Sequence, residues 1–259
     1  MIPYFTIPLF RTLVSVGILA GMWATRKRGK QLGLGDSLFP AMLWAVGIGL
    51  PCSHVFDVLT YHTSAFLADP LMMFNLRGAW SISSYGGFLG ALVTVTLWTK
   101  YHDLPLLPYL DALAVGITVG FLFGRLGCFF VHDHIGRHTN FFLSVAFPDG
   151  RRHDLGLDEF ILCFILTAWF LVLMRKRRPA GAYVALVSLI YGPVRFSLDF
   201  LRAEDIPVPD SRYFGLTPAQ YCSIAVIFTG LWLLWNLVRK PAESRNVDLS
   251  AYTTAGAGR

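Results

Sequence analysis

The apolar stretch at Leu106–Val131 reads LLPYLDALAVGITVGFLFGRLGCFFV. About 20 such residues suffice for a helix to cross ~30 Å of hydrocarbon, so this stretch predicts a transmembrane helix. Arg125 lies inside it, although a guanidinium keeps its charge and costs roughly 2.5–3.5 kcal/mol at the centre of a membrane helix. We therefore expect Arg125 to face the interior of a helix bundle and to hold an anion such as a lipid phosphate. The alternative is a structural arginine that is ion-paired or extends to the interface.

The composition of the whole chain extends this prediction. Of its 259 residues, 54% are hydrophobic and 15% are charged, whereas soluble domains carry about 25% charged residues. Seven segments have the length and apolar character of spans, although the third and fifth are short. They are roughly Phe5–Thr25, Leu38–Leu59, Ser83–Thr99, Leu106–Val131, Leu157–Met174, Ala180–Phe200 and Thr217–Val238. The sequence thus predicts an all-α membrane protein, a seven-helix bundle in one domain over residues 1–240, with a polar, disordered tail at 241–259.

Basic residues indicate how the bundle is oriented. Clusters follow predicted helices 1 and 5, at 26–30 and 175–178, and further basic residues follow helices 3 and 7. The positive-inside rule then places the N-terminus outside and the C-terminus in the cytoplasm, with the outer loops forming a small periplasmic cap. The net charge of +6 is explained by this asymmetry, so we expect no nucleic-acid partner.

A second arginine, Arg195, lies in the apolar run YGPVRFSLDFLR at 191–202. Tyr191, Arg195 and Asp199 follow one another at intervals of four residues, so they share one helix face. Asp199 could hold Arg195 in place while leaving donors free for a substrate phosphate. The alternative is an Arg–Asp pair that only fixes helix packing.

Three weaker patterns also contain candidate site residues. Tyr85, Gly86 and Gly87 open the third predicted helix with a surface for close approach, although an interfacial belt also explains the tyrosine. His54 and Asp57 form either a proton relay or a buried pair. The run His132-Asp133-His134 could suggest a metal, but adjacent residues at a helix end point in different directions. The four cysteines show no metal-ligand spacing, so we predict no metal and no cofactor.

Taken in chain order, these motifs resemble the bacterial prolipoprotein diacylglyceryl transferases. That family's signature GRLGNFxNxExxGR is similar to GRLGCFFVHDHIGR at 124–137, and its YGxxRxxxExxR is similar to residues 191–202. Its HGGxxG is similar to YGGFLG at 85–90. The resemblance implies a seven-helix enzyme of the bacterial inner membrane. Such an enzyme moves the diacylglyceryl group of phosphatidylglycerol, a membrane lipid, to the lipobox cysteine in the signal peptide of a preprolipoprotein, releasing glycerol phosphate.

The resemblance also implies roles for single residues. The catalytic ones would be Arg125, Arg195, Tyr85 and Tyr191. The substrate-binding ones would be Asp133, Gly136, Asp199, Cys128, Gly86, Gly87 and His54.

Several of these positions depart from the family pattern. Tyr85 stands where the family has the histidine to which a base-like role is often assigned, and a neutral phenol is a poor proton acceptor at pH 7. Cys128 replaces an asparagine, and Asp133 and Asp199 replace glutamates. His54, His132 or His134 could supply the base instead. The alternatives are a transferase with the same donor and another acceptor, or a non-catalytic lipid-binding relative. The sequence shows no internal repeat, which disfavours a transporter.

Overall fold

The computed structural model describes residues 6–74, 82–176, 178–207 and 209–239. These ranges contain eight α-helices, two short 3-10 segments and one three-stranded sheet. The helices are α1 (Thr6–Leu32), α2 (Leu38–Tyr61), α3 (Thr63–Ala68), α4 (Ser84–Tyr101), α5 (Leu106–Val131), α6 (Leu155–Leu173), α7 (Ala182–Leu198) and α8 (Pro218–Arg239). The strands are β1 (Ile135–His138), β2 (Val145–Phe147) and β3 (Gly150–Asp154), and the 3-10 segments are Pro70–Phe74 and Asp199–Leu201.

Six of the described helices are long and apolar enough to cross a membrane: α1, α2, α5, α6, α7 and α8. The chain is therefore a predominantly helical, multi-pass membrane protein, as the sequence predicts. Helix α4 corresponds to the third predicted span but is not among the six. It has 18 residues, and its polar start and Lys100 reduce its apolar character. The predicted tail at 241–259 lies outside the described residues.

Helix α1 is longer than the sequence predicts, because it continues through the basic cluster to Leu32 instead of ending near Thr25. Arginine and lysine are good helix formers, so the cluster does not interrupt the helix. Arg28 is buried, and its guanidinium lies 4.6 Å from the centre of the Tyr183 ring. This end of the bundle, which contains residues 26–30, 175, 176 and 178, is called the basic end.

Glycines set the distance between helices. Helix α1 packs against α5 so closely that a Cβ added to Gly116 would lie 1.8 Å from Thr25 Oγ1. Helices α2 and α4 form a second close pair, in which a Cβ on Gly86 would lie 2.4 Å from Phe56 Cβ. Two buried apolar clusters, around Val95 and around Phe170, form the core near the basic end. The two close pairs leave a cavity between them.

The sheet forms a cap at the opposite end of the bundle, which is called the cap end. Its strands lie in the order β1-β3-β2, all antiparallel. The sequence predicts only a loop here, since strands of three to five residues give too little alternation to detect. Asp154, the last residue of β3, accepts a hydrogen bond from the Leu157 N–H at 3.2 Å and so caps α6. The sheet therefore fixes the ends of α5 and α6 against each other.

Candidate active site

One buried carboxylate joins the two arginines that the sequence singles out. Glu159 on α6 is fully buried. Its Oε2 lies 3.1 Å from Arg125 Nη2, and its Oε1 lies 3.4 Å from Arg195 Nε. The Tyr191 hydroxyl donates a 2.6 Å hydrogen bond to Oε2. Arg125, Arg195 and Tyr191 therefore meet at one point, inside the bundle and near the cap end.

Asp199 holds Arg195 from the other side. Arg195 Nη1 and the Thr217 hydroxyl both donate hydrogen bonds to the Asp199 carboxylate. Arg202 Nε donates a third, at 3.1 Å. The spacing of four residues between Arg195 and Asp199 thus produces the contact that it predicts. Because Asp199 is buried and accepts from three donors, the position of the Arg195 guanidinium is fixed.

Arg125 keeps donor capacity on the side away from Glu159. Its Nη1 lies 3.9 Å from Cys128 Sγ, a weak contact, and its guanidinium stacks over Phe121 at 4.5 Å. In the described part of the chain, Nε has no hydrogen-bond partner. A guanidinium has five N–H donors, so the pairing with Glu159 leaves several of them available to an anion.

These charges lie at the head of a cavity of about 700 Å³ between the pair α1–α5 and the pair α2–α4. Arg125, Arg195 and Arg202 line its cap end, as do the acidic residues Asp57, Asp133 and Asp210, whereas mostly apolar side chains of all four helices line the rest. On α1 the lining extends from Phe10 to Thr25, which at 1.5 Å per residue is about 22 Å. A cationic head above a long apolar chamber matches an anionic lipid.

Tyr85 lines the same cavity, but its hydroxyl is engaged as a donor. It lies 2.6 Å from Ser223 Oγ. Ser223 gives its own hydroxyl proton to the Ala219 carbonyl at 2.8 Å, so the hydrogen bond with Tyr85 uses the tyrosine proton. In this arrangement Tyr85 positions the wall of the cavity and is not a base.

Cys128, Asp133 and His134 come together beside Arg125. One ligand atom from each lies within 4.8 Å of the others, and all three residues line the cavity. The Asp133 side chain is 41% exposed, and Asp133 is one of the residues that line the cavity. Burial raises the pKa of Asp133 to about 6, although Arg125 and Arg202 act to lower it.

The same three residues could in principle bind a metal ion. However, Arg202 Nη2 lies 3.1 Å from His134 Nδ1, and Arg125 lies close to the thiol. Two guanidinium groups at the ligand atoms repel a cation, so this geometry does not favour a metal. The sequence-based expectation of no metal stays a prediction.

Three other predicted residues lie in packing contacts. Gly86 contacts α2, as described above, whereas Gly87 does line the cavity. A Cβ on Gly136 would lie 2.6 Å from His153 Cβ, and the Gly136 carbonyl accepts from Arg152 inside the cap. His54 is buried in α2 and is not part of the cavity wall. The assignment of these residues to substrate binding remains a prediction. Close packing is sufficient to account for Gly86 and Gly136.

Whether His54 and Asp57 form a proton relay or a buried pair stays a prediction. Asp57 lines the cavity and lies 3.4 Å from His62 Nε2. His132 lies 2.5 Å from Asp154 Oδ2, outside the cavity wall.

Glu159 is the site residue that sequence reasoning missed. It lies in the first turns of a predicted span, where an acidic residue is also typical of helix capping. The available signal was its position, because an acid within an apolar span needs a cationic partner. Arg125 and Arg195, the two arginines within the apolar runs singled out above, are the cations that could supply one.

Comparison with known proteins agrees with the resemblance. A family model described as prolipoprotein diacylglyceryl transferase matches residues 1–236. The phosphatidylglycerol–prolipoprotein diacylglyceryl transferase of Nitratidesulfovibrio vulgaris (strain DP4) is 30% identical over 230 residues, 84% of this chain and 85% of that protein. The protein of the same name from Acinetobacter baumannii (strain ACICU) is 30% identical over 196 residues, 71% of this chain and 70% of that protein. The chain therefore belongs to the prolipoprotein diacylglyceryl transferase family.

Proposed function

We propose that this chain transfers the diacylglyceryl group of phosphatidylglycerol to the lipobox cysteine of preprolipoproteins, releasing glycerol phosphate. The observation that carries the proposal is the fixed pair of arginines, Arg125 and Arg195, on the fully buried Glu159 at the head of an apolar cavity. The named relatives carry out the same kind of transfer according to their names.

The donor lipid fits this cavity in one direction only. Its phosphate would lie against Arg125 and Arg195, and its acyl chains would extend along the apolar lining of α1 and α5. Glu159 and Asp199 neutralise much of the positive charge of the two arginines, and the remaining donors would bind the phosphate. The reverse direction would place hydrocarbon against guanidinium groups.

The reaction forms a carbon–sulfur bond and breaks a carbon–oxygen bond. The acceptor sulfur attacks the glyceryl carbon that carries the phosphate, and the electron pair of the broken bond passes to a phosphate oxygen. Charge therefore develops on the departing phosphate, which the two arginines stabilise. Removing one comparable donor from other enzymes costs roughly 10²–10³ in rate. Asp199 and Tyr191 would act as positioning residues for Arg195 and Glu159.

We propose in addition that α4 is a seventh spanning helix, with the N-terminus outside and the C-terminus in the cytoplasm of a bacterial inner membrane. Helix α4 supports this because its glycines pack it closely against α2, a spanning helix. The basic end would then be cytoplasmic and the cap periplasmic. Labelling of single cysteines, introduced at the exposed Arg137 and Lys176, from each side of the membrane tests the orientation.

Complementation of a bacterial strain depleted of its own diacylglyceryl transferase tests the function. The wild-type chain should restore growth, whereas Arg125→Ala and Arg195→Ala should each abolish rescue without reducing membrane insertion. Arg195→Lys should also fail, because a point charge cannot replace a bidentate fork. Arg26→Ala, at an exposed arginine of the basic end, is the matched control and should rescue. Rescue by both alanine variants of the site would reject the phosphate-binding role.

A transferase with the same donor but a different acceptor is the second candidate. The observation that favours it is Tyr85, which occupies the position of the family histidine and gives its proton to Ser223. Purified protein that consumes phosphatidylglycerol without alkylating a lipobox peptide would support this candidate. Loss of activity in membranes that lack phosphatidylglycerol is expected for both, so only the acceptor distinguishes them.

A further inference from the structure

The proposed reaction requires a group that takes the proton from the acceptor thiol, whose ordinary pKa is about 8.5. Three groups that the sequence offers are badly placed for this role. Tyr85 already donates its proton to Ser223. His132 is paired with Asp154 outside the cavity wall, and His54 is not part of that wall either.

We propose that Asp133 is the general base that accepts this proton. The inference rests on the proposed function, since it names the base for that reaction. It is carried by the position of the carboxylate, which lines the cavity beside Arg125 and within reach of a thiol that is already present.

That thiol belongs to Cys128, and it shows where an acceptor sulfur can stand. Cys128 Sγ lies within 4.8 Å of the Asp133 carboxylate and 3.9 Å from Arg125 Nη1. A sulfur in this region has the base on one side and the phosphate-binding cation on the other. The acceptor thiol would therefore be deprotonated next to the carbon that it attacks.

A local feature of the backbone places Asp133 in the cavity. Helix α5 ends at Val131, and His132 follows in the left-handed conformation with a φ of 51°. This conformation is uncommon for a residue other than glycine. The 2.5 Å contact between His132 Nδ1 and Asp154 Oδ2 holds it. The chain therefore turns at once, and Asp133 lies over the last turn of α5.

The charged groups around Asp133 come from several elements. Arg125 and Cys128 face it from α5, Arg202 from the segment after α7, Asp154 from β3, and His134 from the next position. Together with burial they leave the pKa of Asp133 at about 6. The carboxylate is then mostly ionised at neutral pH but more basic than an ordinary aspartate, which suits a general base.

His134 is the nearest competitor, and its surroundings disfavour it. Arg202 Nη2 lies 3.1 Å from His134 Nδ1. The same Nδ1 lies 3.1 Å from the Asp133 carbonyl oxygen, which can only accept, whereas the Arg202 guanidinium can only donate. Nδ1 is therefore engaged in either tautomer of the ring. Burial and the neighbouring arginines lower the pKa of His134, which makes it a weaker base than an isolated imidazole.

The step balances without any further reactant. The acceptor S–H proton passes to an Asp133 carboxylate oxygen, and the thiolate attacks the glyceryl carbon. The carbon–oxygen bond to phosphate breaks, and glycerol phosphate leaves with the electron pair. Asp133 then returns its proton to water or to the departing phosphate.

The test compares two acceptors for purified full-length protein with phosphatidylglycerol. One is a lipobox peptide, and the other carries selenocysteine at the same position, whose selenol is already ionised at neutral pH. Asp133→Asn should lower kcat for the cysteine peptide by about 10²-fold or more, with a much smaller loss for the selenocysteine peptide. Asp133→Glu, which restores a carboxylate, should recover part of the cysteine activity. The wild-type rate with cysteine should fall as pH drops below about 6, and the rate with selenocysteine should not.

Other results separate the failure of this inference from the failure of the proposed function. An equal loss for both peptides in Asp133→Asn, or no loss for either, would overturn the role of Asp133 and leave the transferase proposal intact. A selenocysteine-rescued loss in His62→Gln with none in Asp133→Asn would do the same and would assign the base to the Asp57–His62 pair. A wild-type protein that transfers to neither peptide would remove the basis for both proposals.

Discussion

Two arginine clusters in this protein use the same interaction and differ in where their carboxylates lie. In the site, Glu159 and Asp199 are buried together with Arg125 and Arg195. In the cap, Arg152 is equally buried and forms a bidentate pair with Asp205 at 2.9 and 2.7 Å. The Asp205 side chain, however, is 53% exposed. The cap carboxylate can exchange its partner for water, whereas the site carboxylates cannot.

This difference indicates what each cluster is for. A buried ion pair adds little net stability, because desolvation offsets the attraction, yet breaking it by removing one partner is costly. When one partner is exposed to solvent, the ion pair contributes less to stability, so removing it costs less free energy of unfolding. The site cluster therefore holds two cations in fixed positions inside the bundle, where a bound anion would accept hydrogen bonds from their remaining donors. The cap cluster joins the β3 strand to the segment after α7.

Glu159→Gln should have the largest effect, because it removes the charge shared by Arg125 and Arg195. We expect the free energy of unfolding to fall by about 3–5 kcal/mol and transfer activity to be lost. Thermal unfolding in detergent, followed by circular dichroism, measures the first effect. Asp205→Asn is the matched control in the cap and should retain activity with a much smaller change in unfolding. If both variants lost the same free energy of unfolding, burial of the carboxylate would not distinguish the site cluster from the cap cluster.

Replacing arginine by lysine separates charge from geometry. Arg125→Lys keeps a cation in the site but loses the planar fork that contacts Glu159 and faces the cavity. We expect the rate of glycerol phosphate release to fall by about 10²-fold or more. Arg152→Lys, which makes the same change in the cap, should leave that rate unchanged. Comparable activity of the two variants would mean that any cation near Glu159 suffices.

Tyr191→Phe should give an intermediate effect, because it removes one hydrogen bond to Glu159 and leaves both ion pairs. A hydrogen bond to a charged group contributes about 1.5–3 kcal/mol, so the free energy of unfolding should fall by about that amount. Tyr213→Phe removes hydrogen bonds to the Thr60 carbonyl at 2.9 Å and to the Thr63 hydroxyl at 2.8 Å near the cap end, both exposed, and is the control. A larger effect for Tyr213→Phe would contradict the importance of burial at Glu159.

The sequence predicts one part of the site cluster and misses another for a physical reason. The contact between Arg195 and Asp199 follows from helical periodicity, which is a local property. The meeting of Arg125 with Arg195 depends on how α5, α6 and α7 pack, and no local pattern encodes that. Glu159 was missed because the first turns of a helix also favour acids for capping. A helix-capping role and an ion-pairing role for Glu159 differ only in the direction in which its side chain points.

The fold shows the same division. Apolar runs predict most of the long helices, but α1 extends past its apolar part because basic residues also favour helix and Arg28 is buried on Tyr183. The strands of the cap are too short and too polar for their alternation to be recognised. Gly86 and Gly136 illustrate a further limit, since a glycine in a motif is equally suited to close packing and to contact with a substrate.

The smallest expected effect is a local opening of the cap at acid pH. The hydrogen bonds from Arg152 lower the pKa of Asp205 from 3.8 to about 2. A carboxyl group with a lowered pKa stabilises the fold above its ordinary pKa, and this contribution is lost as the pH falls through the lowered value. We therefore expect the Arg152–Asp205 link to hold at pH 4 and to open near pH 2. Limited proteolysis with pepsin, which is active across this range, should show cleavage near residues 203–207 increasing over that interval.

Asp205→Asn is the control for this acid effect, because its side chain does not titrate. Cleavage of the variant near 203–207 should already be elevated at pH 4 and should change little on further acidification. If wild type and variant instead show the same dependence on pH, another group opens the cap, and Asp149, whose pKa the same arginine also lowers, is the next to replace. In either case the bundle should resist cleavage longer than the cap, because the carboxylates of the site cluster are shielded from water by the helices around them.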